Sequence, residues 1–552
     1  MNGASSPPGT AAILAALGAE GDKGGQDGRG PGGPGWPLLI QAFESLAEAP
    51  DGIKRLRELV LQLAVRGKLV PQIEGEVPWA EGGAEGPFEV PAGWVWATVE
   101  QLGDLGPRNK VADSTEVGFV AMPAIPTDLQ DPMTCERRSW AEVKKGYTHF
   151  AEGDVLVAKI TPCFQNLKSC VAEGLPNGIG AGTTELYVVR PQLERVLPRY
   201  LLLYFKTPDF VAGGVATYSG TAGQQRVSSR YFAQAPVPIP PLAEQHRIVA
   251  RVDALMSLLD RLETARGARE ATRTALRDAA LAALRDANTP EEVQAAWQPI
   301  AERMPDLFTD PADLAPLRQT VLQLAVRGRL VRQRSDDVAD KHAVSEAKTP
   351  FAVPSEWTWR TVKECGEIKL GRQRSPKDHH GPNMVPYLRV ANVQDGWLDL
   401  TDVKSMNFTP EEQETFRLLP DDILLNEGQS RELVGRSAIY RGEVPGACFQ
   451  NTLLRFRPYP GLTPDFALRV FQSYLYEGRF SEAATQTTNM AHLSAGRLAA
   501  VEFPLPPEAE QHRIVAKVDE LTTLIHRLEH HLTTAREAQT AFAAAAVHHL
   551  DG

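Results

Sequence analysis

The chain of 552 residues contains no run of about 18 apolar residues, so no segment is expected to span a membrane. It has only five cysteines, Cys135, Cys163, Cys170, Cys365 and Cys448, and no Cys-x-x-Cys pair. That argues against a zinc site and a disulfide framework, and it fits a reducing cytoplasm. The pair His379-His380 lacks the carboxylate and histidine spacing of a metal site, so neither metal nor cofactor is expected. The Gly-x-x-x-x-Gly-Lys-Ser/Thr loop and Gly-x-Gly-x-x-Gly after a strand are missing, as are Gly-x-Ser-x-Gly and His-Glu-x-x-His. So is the Asn/Asp-Pro-Pro-aromatic tetrapeptide of amino-methyltransferases. No catalytic residue can be named, and the chain is expected not to be an enzyme. A basic balance is missing as well: the net charge is −11, and between Pro91 and Pro236 about 14 residues of each sign occur. Residues 1–36 are rich in Gly, Ala and Pro but lack the charged, apolar and cleavage regions of a signal peptide. They read as a disordered tail.

What is present is a repeat. Leu61-Gln-Leu-Ala-Val-Arg-Gly-Lys-Leu-Val70 returns as Leu322-Gln-Leu-Ala-Val-Arg-Gly-Arg-Leu-Val331. Pro91-x-x-Trp94-x-Trp96 returns as Pro354-x-x-Trp357-x-Trp359. Ile239-Pro-Pro-x-Ala-Glu-Gln-His-Arg-Ile-Val-Ala250 returns as Leu505-Pro-Pro-x-Ala-Glu-Gln-His-Arg-Ile-Val-Ala516. All three return roughly 260 positions later and in the same order, so the chain is two copies of one module in tandem. The stretches between the markers differ, so a constant frame holds two different heads. A solenoid would need several short repeats and is excluded.

After each Pro-Pro, apolar residues step by four and three. Ile248, Val252, Leu255, Leu259 and Leu262 form one stripe; Ile514, Val518, Leu521, Ile525 and Leu528 form the other. This is the spacing of a coiled-coil seam, and the first helix, free of breakers to about Ala287, would run roughly 60 Å. The two are expected to pair antiparallel as a spacer; the alternative is that each stripe packs on its own head. Leu56–Leu69 and Leu317–Leu330 read as shorter helices stopped by Gly67 and Gly328. The matched Arg66, Lys68, Arg327 and Arg329 either satisfy a helix C-terminus or touch a partner or phosphate. The four matched tryptophans are expected in the core, and His246 and His512 in the core or at an interface.

Two variable heads, each closed by the same Pro-Pro-x-Ala-Glu-Gln-His-Arg motif and a long helix, resemble the specificity subunits of type I restriction-modification enzymes. The resemblance extends over nearly everything after the tail. Gly153-Asp-Val-Leu-Val-Ala-Lys-Ile-Thr-Pro-Cys-Phe-Gln-Asn166 and Pro420-Asp-Asp-Ile-Leu-Leu-Asn-Glu-Gly-Gln-Ser-Arg431 resemble the middle strand and loop of the family's target-recognition domains. Gly371 to Lys377 followed by Pro386 to Val393 resembles the opening loop and strand, from which the first head departs. The resemblance implies an α/β (α+β) fold: two target-recognition domains joined by two long antiparallel helices, circularly pseudo-symmetric. It implies double-stranded DNA as ligand, each head reading half of a split site. Two adenine methyltransferase subunits, and restriction subunits through them, are the implied protein partners.

The expected boundaries are 37–75 for a proximal helical segment, 76–241 for the first head and 242–287 for the central helix. A helical segment and linker would occupy 288–345, the second head 346–507 and the last helix 508–552. Base edges are read by forked donors and acceptors, phosphates by Lys, Arg and small hydroxyl residues. The candidates in the first head are Lys159, Thr161, Gln165, Asn166, Thr183, Thr184, Gln224, Gln225 and Arg226. In the second they are Arg372, Arg374, Lys377, Gln429, Ser430, Arg431, Asn451, Thr487, Asn489 and His492. The rival expectation is a coiled-coil scaffold whose heads bind proteins.

Overall fold

Residues Gly52–Val65 form helix α1, in which Leu56, Leu59, Val60 and Leu63 recur at helical steps and are buried. Gly67 ends it at φ +67°, a left-handed stop that glycine enters without a Cβ penalty. A Cβ there would come within 2.4 Å of Pro91, so the Pro-x-x-Trp element sits directly on the stop. The computed structural model describes Phe43, Leu46, Ala47 and residues 49–551, except 78, 80–82, 222, 335–348 and 487–489. The expected N-terminal tail lies outside the described residues. Two compact units divide the chain, Met1–Arg269 with Ala535–Gly552, and Glu270–Thr534.

In the first unit the head opens and closes with one ribbon, Val95–Thr98 antiparallel to Pro236–Ile239. An antiparallel sheet follows in the order Gly103–Leu105, Leu186–Pro191, Val155–Ala158, Ser169–Val171. A second sheet runs Glu136–Ser139, Glu116–Val120, Ile179–Gly182, Thr148–Ala151, its middle pair parallel. The continuous apolar run Val155–Ala158 is explained by burial on both faces. Val155 and Val157 join the core with helix α2, Pro198–Phe205, while Leu156 and Ala158 face a separate core with Phe150 and Val188. Helix α3, Leu242–Asp286, begins in this unit, and its residues from Glu270 onward belong to the second.

The second unit repeats the plan. Helix α4, Ala315–Val326, ends at Gly328, also at φ +67°, where an added Cβ would meet Pro354 at 2.5 Å. Thr358–Thr361 pairs with Glu502–Leu505. The main sheet runs Gly366–Leu370, Leu453–Pro458, Asp422–Asn426, Ser437–Tyr440. Helix α5, Pro464–Tyr476, covers it, and helix α6, Glu508–Asp551, belongs to this unit as far as Thr534. Both heads bury one carboxylate under one arginine. Asp154 is held by Arg190 at 2.9 Å, and Asp422 by Arg457 at 2.7 Å.

The apolar stripes are buried inside their own units, the arrangement the spacing left open beside a mutual seam. Ile248, Val252, Leu255, Leu259 and Leu262 share a core with α1 and α2; Ile514, Val518, Leu521 and Ile525 share one with α4 and α5, with Leu528 packed at its margin. Matched ion pairs fix the contacts. Arg57 reaches Asp260 and Glu263, and Arg199 reaches Asp253. Arg318 reaches Glu529, and Arg469 reaches Asp519. Periodicity defines a stripe but not its partner, and here the short helices supply one. No helix among the described residues is long and apolar enough to cross a membrane.

Candidate nucleic-acid interface

In the first head the structure brings the nine candidates onto three adjoining segments, 159–166, 183–185 and 219–227. Backbone bonds lace them together: Lys159 N–H donates to the Glu185 carbonyl, Thr161 N–H to that of Gln225, and Val227 N–H to that of Lys159, each at 2.9 Å. Thr161 Oγ1 donates to Gln165 Oε1 at 2.8 Å, and Gln165, Asn166, Thr184 and Gln224 are exposed. Thr183 is half-buried, its hydroxyl accepting from Glu185 N–H at 3.3 Å. Arg226 is not a free fork. Its Nε and Nη2 donate to the two Glu185 oxygens at 2.9 and 2.8 Å, and the guanidinium holds that carboxyl below the usual range. Lys159 has its ammonium 5.4 Å from the Tyr187 ring centre. It lines a cleft of about 400 Å³ with Arg108, Tyr147, Thr148, His149 and Thr184.

The second head joins its candidates in a similar way. Asn451 N–H donates to the Arg372 carbonyl at 3.0 Å, and Glu427 N–H to the Thr452 carbonyl at 2.9 Å. Gly428–Gln429 pairs antiparallel with Ala491–His492. His492 Nδ1 lies 3.3 Å from Glu427 Oε2. Ser430, beside Gln429, is half-buried, and Arg431, Arg374 and Lys377 are exposed; Arg374 Nε donates to His379 Nε2 at 3.0 Å. Arg372 is engaged within its own head. It is largely buried, paired with Asp378 at 3.1 Å and Glu412 at 2.7 Å, and set over the Phe408 ring. Its guanidinium ties the loop of Asp378 to the helix of Glu412. Thr487 and Asn489 lie outside the described residues.

The family model for the type I restriction modification DNA specificity domain matches this chain twice, over residues 92–269 and 354–535. The chain belongs to that family. The EcoAI specificity subunit of Escherichia coli is 33% identical, over 88% of this chain and 92% of its own length. The EcoEI specificity subunit of Escherichia coli is 31% identical over the same shares. A chain solved in a study of complex assembly and conformational transition of the type I R-M system has a TM-score of 0.50 at 19% identity. The match covers 84% of this chain and 99% of that one, and shows the likeness of fold.

The constant motif of this specificity protein is a clasp. Glu244 accepts from Trp94 Nε1 at 3.0 Å and Gln72 Nε2 at 2.9 Å; Glu510 accepts from Trp357 at 3.0 Å and Gln333 at 2.7 Å. Burial pushes the Glu244 carboxyl up. Gln245 accepts from Leu197 N–H and donates to the Arg195 and Pro240 carbonyls; Gln511 accepts from Thr463 N–H and donates to those of Gly461 and Pro506. Trp94 and Trp357 thus lie in the cores, as their matched positions predicted, whereas Trp96 is buried edge-on against Phe88 and Trp359 is only half-buried against Phe351. His246 and His512 are exposed, on the opposite side of the helix from the buried stripe, which removes the core reading and leaves the interface one. Arg329 donates to the Arg285 and Ala287 carbonyls at the end of α3, a helix C-terminus role, while Arg66 pairs with Asp209 and Arg327 with Glu477. Glu185, Glu427 and Thr452 complete the loop pairing in the two heads but are not among the residues the sequence singles out. The two glutamates are passed over because acidic side chains are not sought where phosphate is expected, and Thr452 because only the loop pairing places it beside Glu427.

Proposed function

We propose that this protein is the non-catalytic DNA-recognition subunit of a type I restriction-modification complex. Each head reads one half of a split, asymmetric site in double-stranded DNA. Two adenine methyltransferase subunits dock on the constant helices, bring the restriction subunits with them and add the positive surface that a chain of net charge −11 withholds. The long helices α3 and α6 pair antiparallel beyond their buried stripes and set the separation of the heads. The work is placed in the cytoplasm, and the methyl transfer in the partner, which flips the target base out of the duplex.

One observation carries the reading. The same clasp, the same glycine stops and the same buried Asp–Arg pair frame two heads whose candidate contact residues differ throughout. A scaffold that binds one kind of protein partner has no need of unlike heads on a duplicated frame, whereas an asymmetric split site requires them. The test is methylation mapping by long-read sequencing in cells with and without the gene. Loss of adenine methylation at a single split motif is expected on deletion; an unchanged methylome, with no methyltransferase co-purifying, would overturn the reading.

A further inference from the structure

The two heads share one loop node in which one position carries opposite charge in the two heads. In the first head Lys159 N–H donates to the carbonyl of Glu185, Val227 N–H donates to the carbonyl of Lys159, and Ile160 bridges Arg226. In the second, Glu427 N–H donates to the carbonyl of Thr452, Leu493 N–H donates to the carbonyl of Glu427, and Gly428 pairs with His492. The backbone bonds are the same, so position 159 corresponds to 427, 185 to 452 and 226 to 492. The side chains at these nodes are Lys, Glu and Arg in one head and Glu, Thr and His in the other.

The node is partly open to solvent in both heads. The Arg226 and His492 side chains retain 43% of their accessible surface, while Glu185 and Glu427 retain 23% and 21%. Loops next to it carry the exposed residues Gln224 and Arg431. In the first head Arg226 is held by Glu185 and by its bond to the Gln224 carbonyl, so it positions the loop. Lys159 is then the group that presents hydrogen-bond donors. In the second head the corresponding group is the Glu427 carboxylate, which only accepts, and His492 beside it orients it. Lysine matches the O6 and N7 acceptors of guanine, and glutamate matches the N4 amino group of cytosine.

We infer that Lys159 and Glu427 are the equivalent specificity-determining residues of the two heads, Lys159 selecting a guanine and Glu427 a cytosine at one position of its own half-site. Arg226 and His492 are the positioning residues. The inference rests on the DNA-reading assignment above and deepens it.

The test uses the full complex with its methyltransferase subunits and a library of duplexes randomised in both half-sites, selected by binding and sequenced. The Lys159→Gln variant is expected to lose about tenfold of its guanine preference at one position of one half-site, moving toward adenine, with the other half-site untouched. Glu427→Gln is expected to lose about tenfold of a cytosine preference at one position of the other half-site only. A wild-type complex that selects no motif overturns the DNA-reading assignment itself. A wild type that selects a split motif, with both variants binding and leaving every base preference unchanged, overturns this inference alone. Where one variant fails to fold, the other decides; misfolding of both, seen by circular dichroism, assigns the node a structural role and also overturns it.

Discussion

The indole nitrogen of Trp94 donates to the buried carboxylate of Glu244 at 3.0 Å, across 150 positions of sequence. The bond ties the start of the first head to the first turn of α3, and Trp357 repeats it with Glu510 in the second unit. Glu244 also accepts from Gln72, so one carboxylate holds the segment after α1, the head's entrance and the long helix together.

Trp94→Phe keeps the ring but removes the donor, leaving a desolvated carboxylate oxygen without its partner. A loss of about 1–3 kcal/mol is expected. It is read as a lower urea midpoint, with faster amide exchange across residues 248–262. An unchanged midpoint would show that the bond contributes nothing to the clasp.

Lys206 is buried, and its ammonium donates to the carbonyls of Thr127 and Leu167 at 2.8 Å each. Burial pushes its pKa down to about 8 from 10.5. Between those values the unfolded chain holds a proton that the folded chain has released, so this group's contribution to stability rises with pH. The gain is complete above 10.5 and lost as pH falls through about 8. The buried Cys170 thiol, pushed up to about 12, acts in the opposite sense above pH 9. Comparing wild type with Lys206→Met, both carrying Cys170→Ala, removes the Cys170 effect, which the Lys206 charge would otherwise alter. Relative to the Lys206→Met chain, the chain that keeps Lys206 is expected to gain at most about 3 kcal/mol from pH 8 to 10.5. A difference that stays flat with pH would refute the assignment.

Asn426 ends a central strand, is fully buried, and has neither amide atom hydrogen-bonded within the described residues. Its neighbours on the same face are Leu424 and Leu453, part of a core with Phe449. Asn426→Leu removes an uncompensated polar group without breaking a bond. A gain of about 1 kcal/mol is expected in chemical unfolding of the full chain. Destabilisation would point to an ordered water on that amide.

Much of the frame was legible because the repeat markers are near-identities, and a Gly after a helical stripe, or Pro-Pro before one, has a fixed conformational meaning. The partner of each stripe was not. Ile248 to Leu262 carry the same four-three step whether they meet another long helix or α1 and α2, and only the tertiary packing chooses. Arg226 and Arg372 show the same limit at the candidate interface. An exposed-loop arginine reads as a DNA contact until Glu185, or Asp378 and Glu412, is found to occupy its fork. Glu427 was missed for the converse reason. A carboxylate suits a base edge but repels phosphate, and a chain searched for positive charge passes over it.

The helices offer a direct test of how the heads are spaced. The stretch of α3 from Glu263 to Glu270 is mostly exposed, as is that of α6 from Thr533 to Phe542. Neither carries the buried stripe, so residues inserted there leave both cores intact. A matched insertion of seven residues adds about 10 Å to each helix and preserves its face. Because base pairs rise by about 3.4 Å, the spacer between half-sites is expected to lengthen by about three base pairs with both half-sites unchanged. Methylation mapping in cells carrying the insertion reads the new motif directly. A spacer of unaltered length, with methylation retained, would remove the helices from any role as a ruler and leave the separation of the half-sites to the methyltransferase subunits.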